Sequence, residues 1–388
     1  MKYDFERKIN RKGTDSIKWD YFGDFIPPKD CLPMWVADMD FAAPPEVTQA
    51  LLDRAKHPVY GYTMCKDEFY QPIIKWISRR LNWEIEQEWM LPAHDIVSTI
   101  NIIIQNFSNE NDKVLIQTPV YPPFAEGVVS NNRKLVDSKL VLKDKKYFID
   151  FQDLERKLSG GIKIMILCSP HNPIGRVWNM EELERIGNLC VKYDVLLISD
   201  EIHADLIFSE NKHTCIASIS DEISDNTITL YSGAKTFNIA GLKIATVIIS
   251  NKKNREKFQN VIRSMGLWGG NIFGYEAMKV AYSMGEEWLE QLILVLEENK
   301  KTVVDFFAKY IPKVSVIDSE GTFLLWLDFR KLFNNQEELN DFIFYKARIG
   351  FLPGNRFGEN GRGFMRMNIG CPKSTILEAL KKMKKALE

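Results

Sequence analysis

Thr227-Ile228-Thr229-Leu230-Tyr231-Ser232-Gly233-Ala234-Lys235-Thr236-Phe237-Asn238 decides how the chain is read. The first five residues are β-branched or apolar and predict a strand; Ser232-Gly233 ends it, and a lysine follows at once. In an α/β sheet, side chains at the carboxyl ends of the strands line the ligand crevice. That placement singles out Lys235. Two further strand ends agree with it: Asp200 closes the run Val195-Ser199 and leads into Glu201-Ile202-His203, and Ser169-Pro170-His171-Asn172-Pro173 closes Lys163-Cys168. With Tyr121, an Asp, an Asn, a Tyr and a Lys are set to surround one crevice.

Working outward, Val114-Ile116 and Ala245-Ser250 add strands, several of the runs apolar almost without interruption, as in strands covered on both faces. Between Cys168 and Val195 a helix begins at Asn179 as N-cap, with Glu182 three residues later as in a capping box, and runs to Lys192. Strand, helix and strand at this spacing imply an α/β fold with a mainly parallel sheet. Earlier helices are expected over Glu46-Ala55 and Phe69-Arg80. After Met284-Gly285 the texture changes to a long striped helix, Trp288-Tyr310, then strands at Val314-Ile317, Phe323-Leu327 and Phe364-Asn368 and a last helix from Thr375, which is an α+β pattern. A chain of 388 residues exceeds what one core normally holds. We expect residues 1–45 as an N-terminal arm joining the small domain, 46–285 as the large domain and 286–388 as the small C-terminal domain.

The 51 Lys+Arg against 52 Asp+Glu leave a net charge of -1 with no basic stripe, so neither nucleic acid nor a membrane surface is an expected partner. No apolar run reaches the roughly 18 residues a bilayer span needs, and the N-terminus is too charged for a signal peptide. The six cysteines are scattered, with no C-x-x-C, and suit buried thiols of a reducing, cytoplasmic compartment. The chain lacks G-x-x-x-x-G-K-[ST], G-x-G-x-x-G and H-E-x-x-H, and its histidines show no metal-ligand spacing with cysteine. Ser232-Gly233-Ala234-Lys235 is an S-x-x-K, but Ser224-Asp225-Asn226 precedes it, the reverse of the serine β-lactamase order, and no K-T-G occurs.

Tyr121, Ser169-Pro170-His171-Asn172-Pro173-Ile174-Gly175, Asp200-Glu201-Ile202-His203 and Ser232-Gly233-Ala234-Lys235 together resemble the pyridoxal-phosphate (PLP) enzymes of fold type I, the aspartate-aminotransferase fold. Asn10-Arg11-Lys12-Gly13-Thr14, Lys18-Trp19-Asp20, Pro33-Met34-Trp35-Val36-Ala37-Asp38-Met39-Asp40-Phe41 and Gly363-Phe364-Met365-Arg366-Met367-Asn368 with Cys371-Pro372 are similar to its cystathionine β-lyase (C-S lyase) branch, the MalY/PatB family. The resemblance implies a large domain with a mainly parallel, seven-stranded mixed sheet flanked by helices, plus the smaller α+β domain. It implies pyridoxal 5'-phosphate as cofactor, an amino-acid substrate and a homodimer with active sites at the subunit interface.

Residue by residue, the resemblance makes Lys235 the lysine that holds PLP and then serves as general base, Asp200 the partner of the pyridine nitrogen, and Tyr121 the ring that stacks on the cofactor. Asn172 and His203 would hydrogen-bond the phenolic oxygen. Ser232 and the helix start at Ile96-Val97 would hold the phosphate, with Tyr62 reaching a neighbouring subunit's phosphate. Arg366 would clamp the substrate carboxylate, with Val36, Ala37 and Asn172 lining the substrate side. The sequence departs from the family where Asp95 takes the place of a phosphate-turn glycine, where Lys243 stands for an arginine, and where Ile174 replaces a threonine. The implied activity is α,β-elimination from L-cystathionine or a cysteine S-conjugate. A class I/II aminotransferase shares every cofactor contact and stays open, as does a binding or regulatory protein on the same fold.

Overall fold

Strands that are apolar on both faces need helices on both faces, and the sheet shows that cover. The structure, a computed structural model, describes residues 1–21, 28–267 and 270–388; the Phe25-Ile26-Pro27 portion of the arm lies outside them. Seven strands, β1 (Met90–Ala93), β2 (Lys113–Ile116), β3 (Lys134–Asp137), β4 (Ile162–Cys168), β5 (Leu196–Asp200), β6 (Thr227–Tyr231) and β7 (Ala245–Ile248), form one sheet. Their order is β1-β7-β6-β5-β4-β2-β3. All neighbours are parallel except β7, which runs antiparallel to both β1 and β6.

Alternation within β4 explains its unbroken apolar sequence. Ile164 and Ile166 pack with Ile100, Ile103 and Ile104 of helix α1 (Ile96–Phe107), whereas Met165 and Leu167 pack with Leu183, Ile186 and Leu189 of α2 (Met180–Lys192). The capping box expected at Asn179 and Glu182 is formed, so α2 starts where the sequence places it. The single helical turn α3 (Gly233–Thr236) follows β6 directly, with the Ser232 hydroxyl accepting from the Ala234 N–H, and sets Lys235 at the sheet's carboxyl edge.

A four-stranded antiparallel sheet stands beside this layer, in the order β8 (Ser315–Val316), β9 (Leu324–Asp328), β11 (Phe364–Asn368), β10 (Leu352–Pro353). Helix α4 (Glu286–Tyr310) buries Trp288, Leu289, Leu292, Leu296, Val303 and Phe307, so its apolar stripe is core.

The arm attaches by backbone pairing and by charge. Leu32-Pro33 pairs with Ile349-Gly350, and the Asn368 N–H donates to the Met34 carbonyl. Upstream, where no periodicity announced an element, Ile17–Asp20 forms one helical turn because the Asp20 carboxylate collects the N–H groups of Gly13, Thr14 and Ser16. The turn delivers Lys18 and Trp19 to Asp40: Lys18 Nζ lies 2.7 Å from Oδ2, and the Trp19 indole N–H and Arg11 Nη1 lie 3.0 and 2.8 Å from Oδ1. Arg11 also reaches Asp38 at 2.6 Å.

Lys18 and Asp40 are both buried, so removing one leaves the other uncompensated. Asp40→Asn should lower stability by about 3 kcal/mol, read as a shifted urea midpoint at unchanged slope. Burial opposes the Asp40 charge, but Lys18, Trp19 and Arg11 outweigh it and hold the carboxyl below its ordinary 3.8. Its contribution is therefore complete above that value and lost as pH falls below it, so the gap between wild type and Asp40→Asn should narrow on acidification.

Candidate active site

The carboxyl ends of β4, β5 and β6 open into a cavity of about 510 Å³, lined among others by Asn172, Asp200, His203, Ser232 and Lys235 from those strand ends. The first turn of α1 supplies Asp95, Ile96, Val97 and Ser98, the loop before β7 supplies Lys243, and the segment after β2 supplies Tyr121. A second cavity of about 700 Å³ shares Ala37, Tyr121, Pro123 and Lys235 with the first and adds Trp35, Val36, Leu352 and Arg366. The two form one crevice, with Lys235 where they join.

Lys235 is half-buried and its Nζ donates to the Ala37 carbonyl at 2.6 Å. Loss of water around the ammonium lowers its pKa to about 8; Arg366 and Lys243 push the same way, against the acids Asp38 and Asp200. Asp200 shows the opposite effect. Burial raises its carboxyl to about 7, while the Ile202 N–H, at 3.2 Å, and Lys235 favour the charged form. Tyr121 is raised to about 12, chiefly by burial, and stays a neutral phenol. Burial, with Lys235 and Arg366 nearby, lowers His203 to about 3, so it is a neutral imidazole; its Nδ1 has no partner among the described residues.

Arg366 sits on β11 and reaches across to the large sheet. Its Nη1 donates to Asn172 Oδ1 at 2.9 Å, its Nη2 to the Trp35 carbonyl at 2.7 Å, and its buried Nε has no partner among the described residues. The Ser232 hydroxyl donates to the Ile244 carbonyl at 2.7 Å, which ties it to the loop before β7. At α1, Asp95 caps the helix by accepting from the Ser98 N–H at 2.8 Å and pairs with Lys243 at 3.2 Å. Tyr62 lines neither cavity and is almost wholly exposed.

These residues fit PLP. A buried carboxyl with a single backbone donor suits a ring nitrogen, the Tyr121 ring lines the same cavity, an amine stands at the junction, and a helix start with a lysine offers an anion seat.

The family model for aminotransferase class I and II matches residues 29–383. Cystathionine beta-lyase PatB of Bacillus subtilis (strain 168) is 39% identical over 99% of both chains. The chain belongs to the MalY/PatB branch of the class I and II aminotransferases. Protein MalY of Escherichia coli (strain K12) is 33% identical over 96% of each chain. The structure of cystalysin from Treponema denticola, which contains a pyridoxal 5'-phosphate cofactor, superposes with a TM-score of 0.96 at 38% identity, covering 100% of this chain and 99% of that one. Fold type I with PLP as cofactor is thereby the setting of the crevice.

Sequence reading missed the backbone groups. The carbonyls of Ala37 and Trp35, which receive Lys235 and Arg366, have no side-chain signal. It also missed a buried brace behind Asp200: Glu201 accepts from Ser199 Oγ and bonds His213 Nε2, both at 2.9 Å, with Cys215 close by. The loop from Asp205 to Cys215 creates that proximity.

Because folding raises the Asp200 pKa from 3.8 to about 7, the folded chain binds this proton more tightly than the unfolded one. Stability of the cofactor-depleted protein therefore loses a contribution as pH rises through that window. Asp200→Asn removes the penalty, so its urea midpoint relative to wild type should climb between pH 4 and pH 7. A constant difference across that range would contradict the assignment.

Proposed function

We propose that the chain is a PLP-dependent C–S β-lyase that cleaves L-cystathionine, or a related cysteine S-conjugate, to a thiol such as homocysteine, pyruvate and ammonia. The observation that carries this reading is a lysine lowered to about 8 at the junction of a cofactor-sized cavity and a second cavity ending in Arg366. The names of PatB and cystalysin's bound cofactor support it.

Bound PLP supplies an electron sink for the negative charge left on the substrate's α-carbon. Lys235 would hold the cofactor and then, as a neutral amine, take the α-proton onto Nζ. A pKa near 8 leaves a workable fraction of that base at neutral pH. Asp200, kept among protein atoms, would pair with the pyridine nitrogen and hold it protonated. Tyr121 would cover the ring face, and Asn172 with His203 would hydrogen-bond the ring's phenolic oxygen. Arg366 receives the substrate carboxylate and so fixes the α-hydrogen toward Lys235. Trp35, Val36 and Leu352 give the β-substituent apolar walls along the open second cavity, through which the thiolate can depart once the C–S bond breaks.

We further propose a cytoplasmic homodimer. The exposed run Val59, Tyr60, Tyr62 and Met64 suits an interface that carries Tyr62 to a partner's phosphate site. Six free cysteines, five of them buried, suit a reducing compartment. Among the described residues no helix is long and apolar enough to cross a membrane.

Purified protein given L-cystathionine and PLP should release pyruvate and homocysteine in equal amounts. Lys235→Ala should cut pyruvate release by at least about 10³-fold, because the general base and covalent anchor leave together. Arg366→Lys should raise KM about 10- to 100-fold with a smaller change in kcat, since lysine cannot make the bidentate pair. The family model's description keeps aminotransfer as the second reading; glutamate formed from 2-oxoglutarate without pyruvate would select it.

A further inference from the structure

The first turn of α1 is where a phosphate would sit if PLP binds as proposed, and this inference rests on that reading. The N–H groups at a helix start have no intrahelical partners and attract anions. Here a carboxylate is already present. Asp95 accepts from the Ser98 N–H at 2.8 Å with Oδ1 and lies 3.2 Å from Lys243 Nζ with Oδ2, and both side chains line the cavity. Burial disfavours the Asp95 charge, but Ser98 and Lys243 overcome it, and the carboxyl is held below its ordinary value. The group is thus an anion at neutral pH.

We propose that Asp95 is an internal competitor for the cofactor's phosphate, holding the Ser98 N–H and the Lys243 ammonium beside the Ile96-Val97 helix start that the phosphate would use. The seat offers one lysine against one aspartate, so a phosphate entering it has to share Lys243 and face Asp95. In a half-exposed site, one such like charge at contact range weakens binding by a factor on the order of ten. The geometry therefore assigns this chain a PLP affinity set by Asp95, loaded in proportion to free cofactor, and Lys243 the role of partial neutraliser.

Asp95→Asn tests this without dismantling the cradle, because asparagine caps a helix as well as aspartate does and has nearly the same shape. Cofactor-depleted full-length protein is titrated with PLP, and in parallel with pyridoxal, which lacks the phosphate, following visible absorbance and tryptophan quenching. PLP should bind Asp95→Asn about tenfold or more tighter than wild type, with pyridoxal affinity changed less than about twofold. Lys243→Met should cost more PLP affinity in the Asp95→Asn background than in wild type, because Lys243 is then no longer shared. Unchanged or weaker PLP binding by Asp95→Asn overturns the proposal, as does an equal gain for pyridoxal. If Asp95→Asn unfolds at a lower urea midpoint, Asp95→Ser supplies the same comparison. Failure of wild type and variants alike to bind PLP overturns the cofactor reading, a result distinct from tight and equal binding.

Discussion

The constraint on which the rest of the molecule depends is the dehydration of one ammonium group. Lys235 has a carbonyl as its hydrogen-bond partner, and the loss of water around it outweighs the pull of Asp38 and Asp200 toward its ordinary basicity. A lysine in water near pH 7 is a poor base and nucleophile because it is protonated; this one is closer to being available. Keeping it so requires a sheet edge to hold it, an arm to cover it and a second sheet to close the far side.

The arm serves that end indirectly. Ala37, whose carbonyl receives Lys235, lies next to Asp38, and Asp40 follows two residues later, so the Arg11, Lys18 and Trp19 contacts fix the backbone that lies over the lysine. Asn238 reinforces it from the other side, accepting from the Met39 N–H and donating to the Met39 and Phe41 carbonyls. A charge cluster that reads as a stability feature is also the roof of the chemical site. Arg366 links the same roof to the large sheet, through the Trp35 carbonyl and Asn172.

The parts legible in the sequence follow from simple rules. Lys235, Asp200 and Asn172 were visible because an apolar strand that stops at a polar residue marks the crevice side of a parallel sheet, and α2 because its capping box is a local signal. Arg366 was visible only by resemblance, since a single charge inside Phe364-Met365-Arg366-Met367-Asn368 says nothing of which partner it seeks across the fold. The Asp95–Lys243 pair needed the structure: the two residues are 148 apart, and the register of β7 against β1 brings them together. Glu201 and His213 meet for a similar reason, through a loop path with no periodicity to announce it.

The reversed direction of β7 has a mechanical consequence. A parallel neighbour would have needed a crossover of a dozen or more residues before returning to the sheet, and would have begun at the opposite edge. Because β7 instead starts where β6 stops, Lys235 and Lys243, eight positions apart, are anchored to adjacent strands of one rigid layer. Whatever occupies the crevice, the backbone spacing between these two lysines is carried by the hydrogen bonds of a single strand pair.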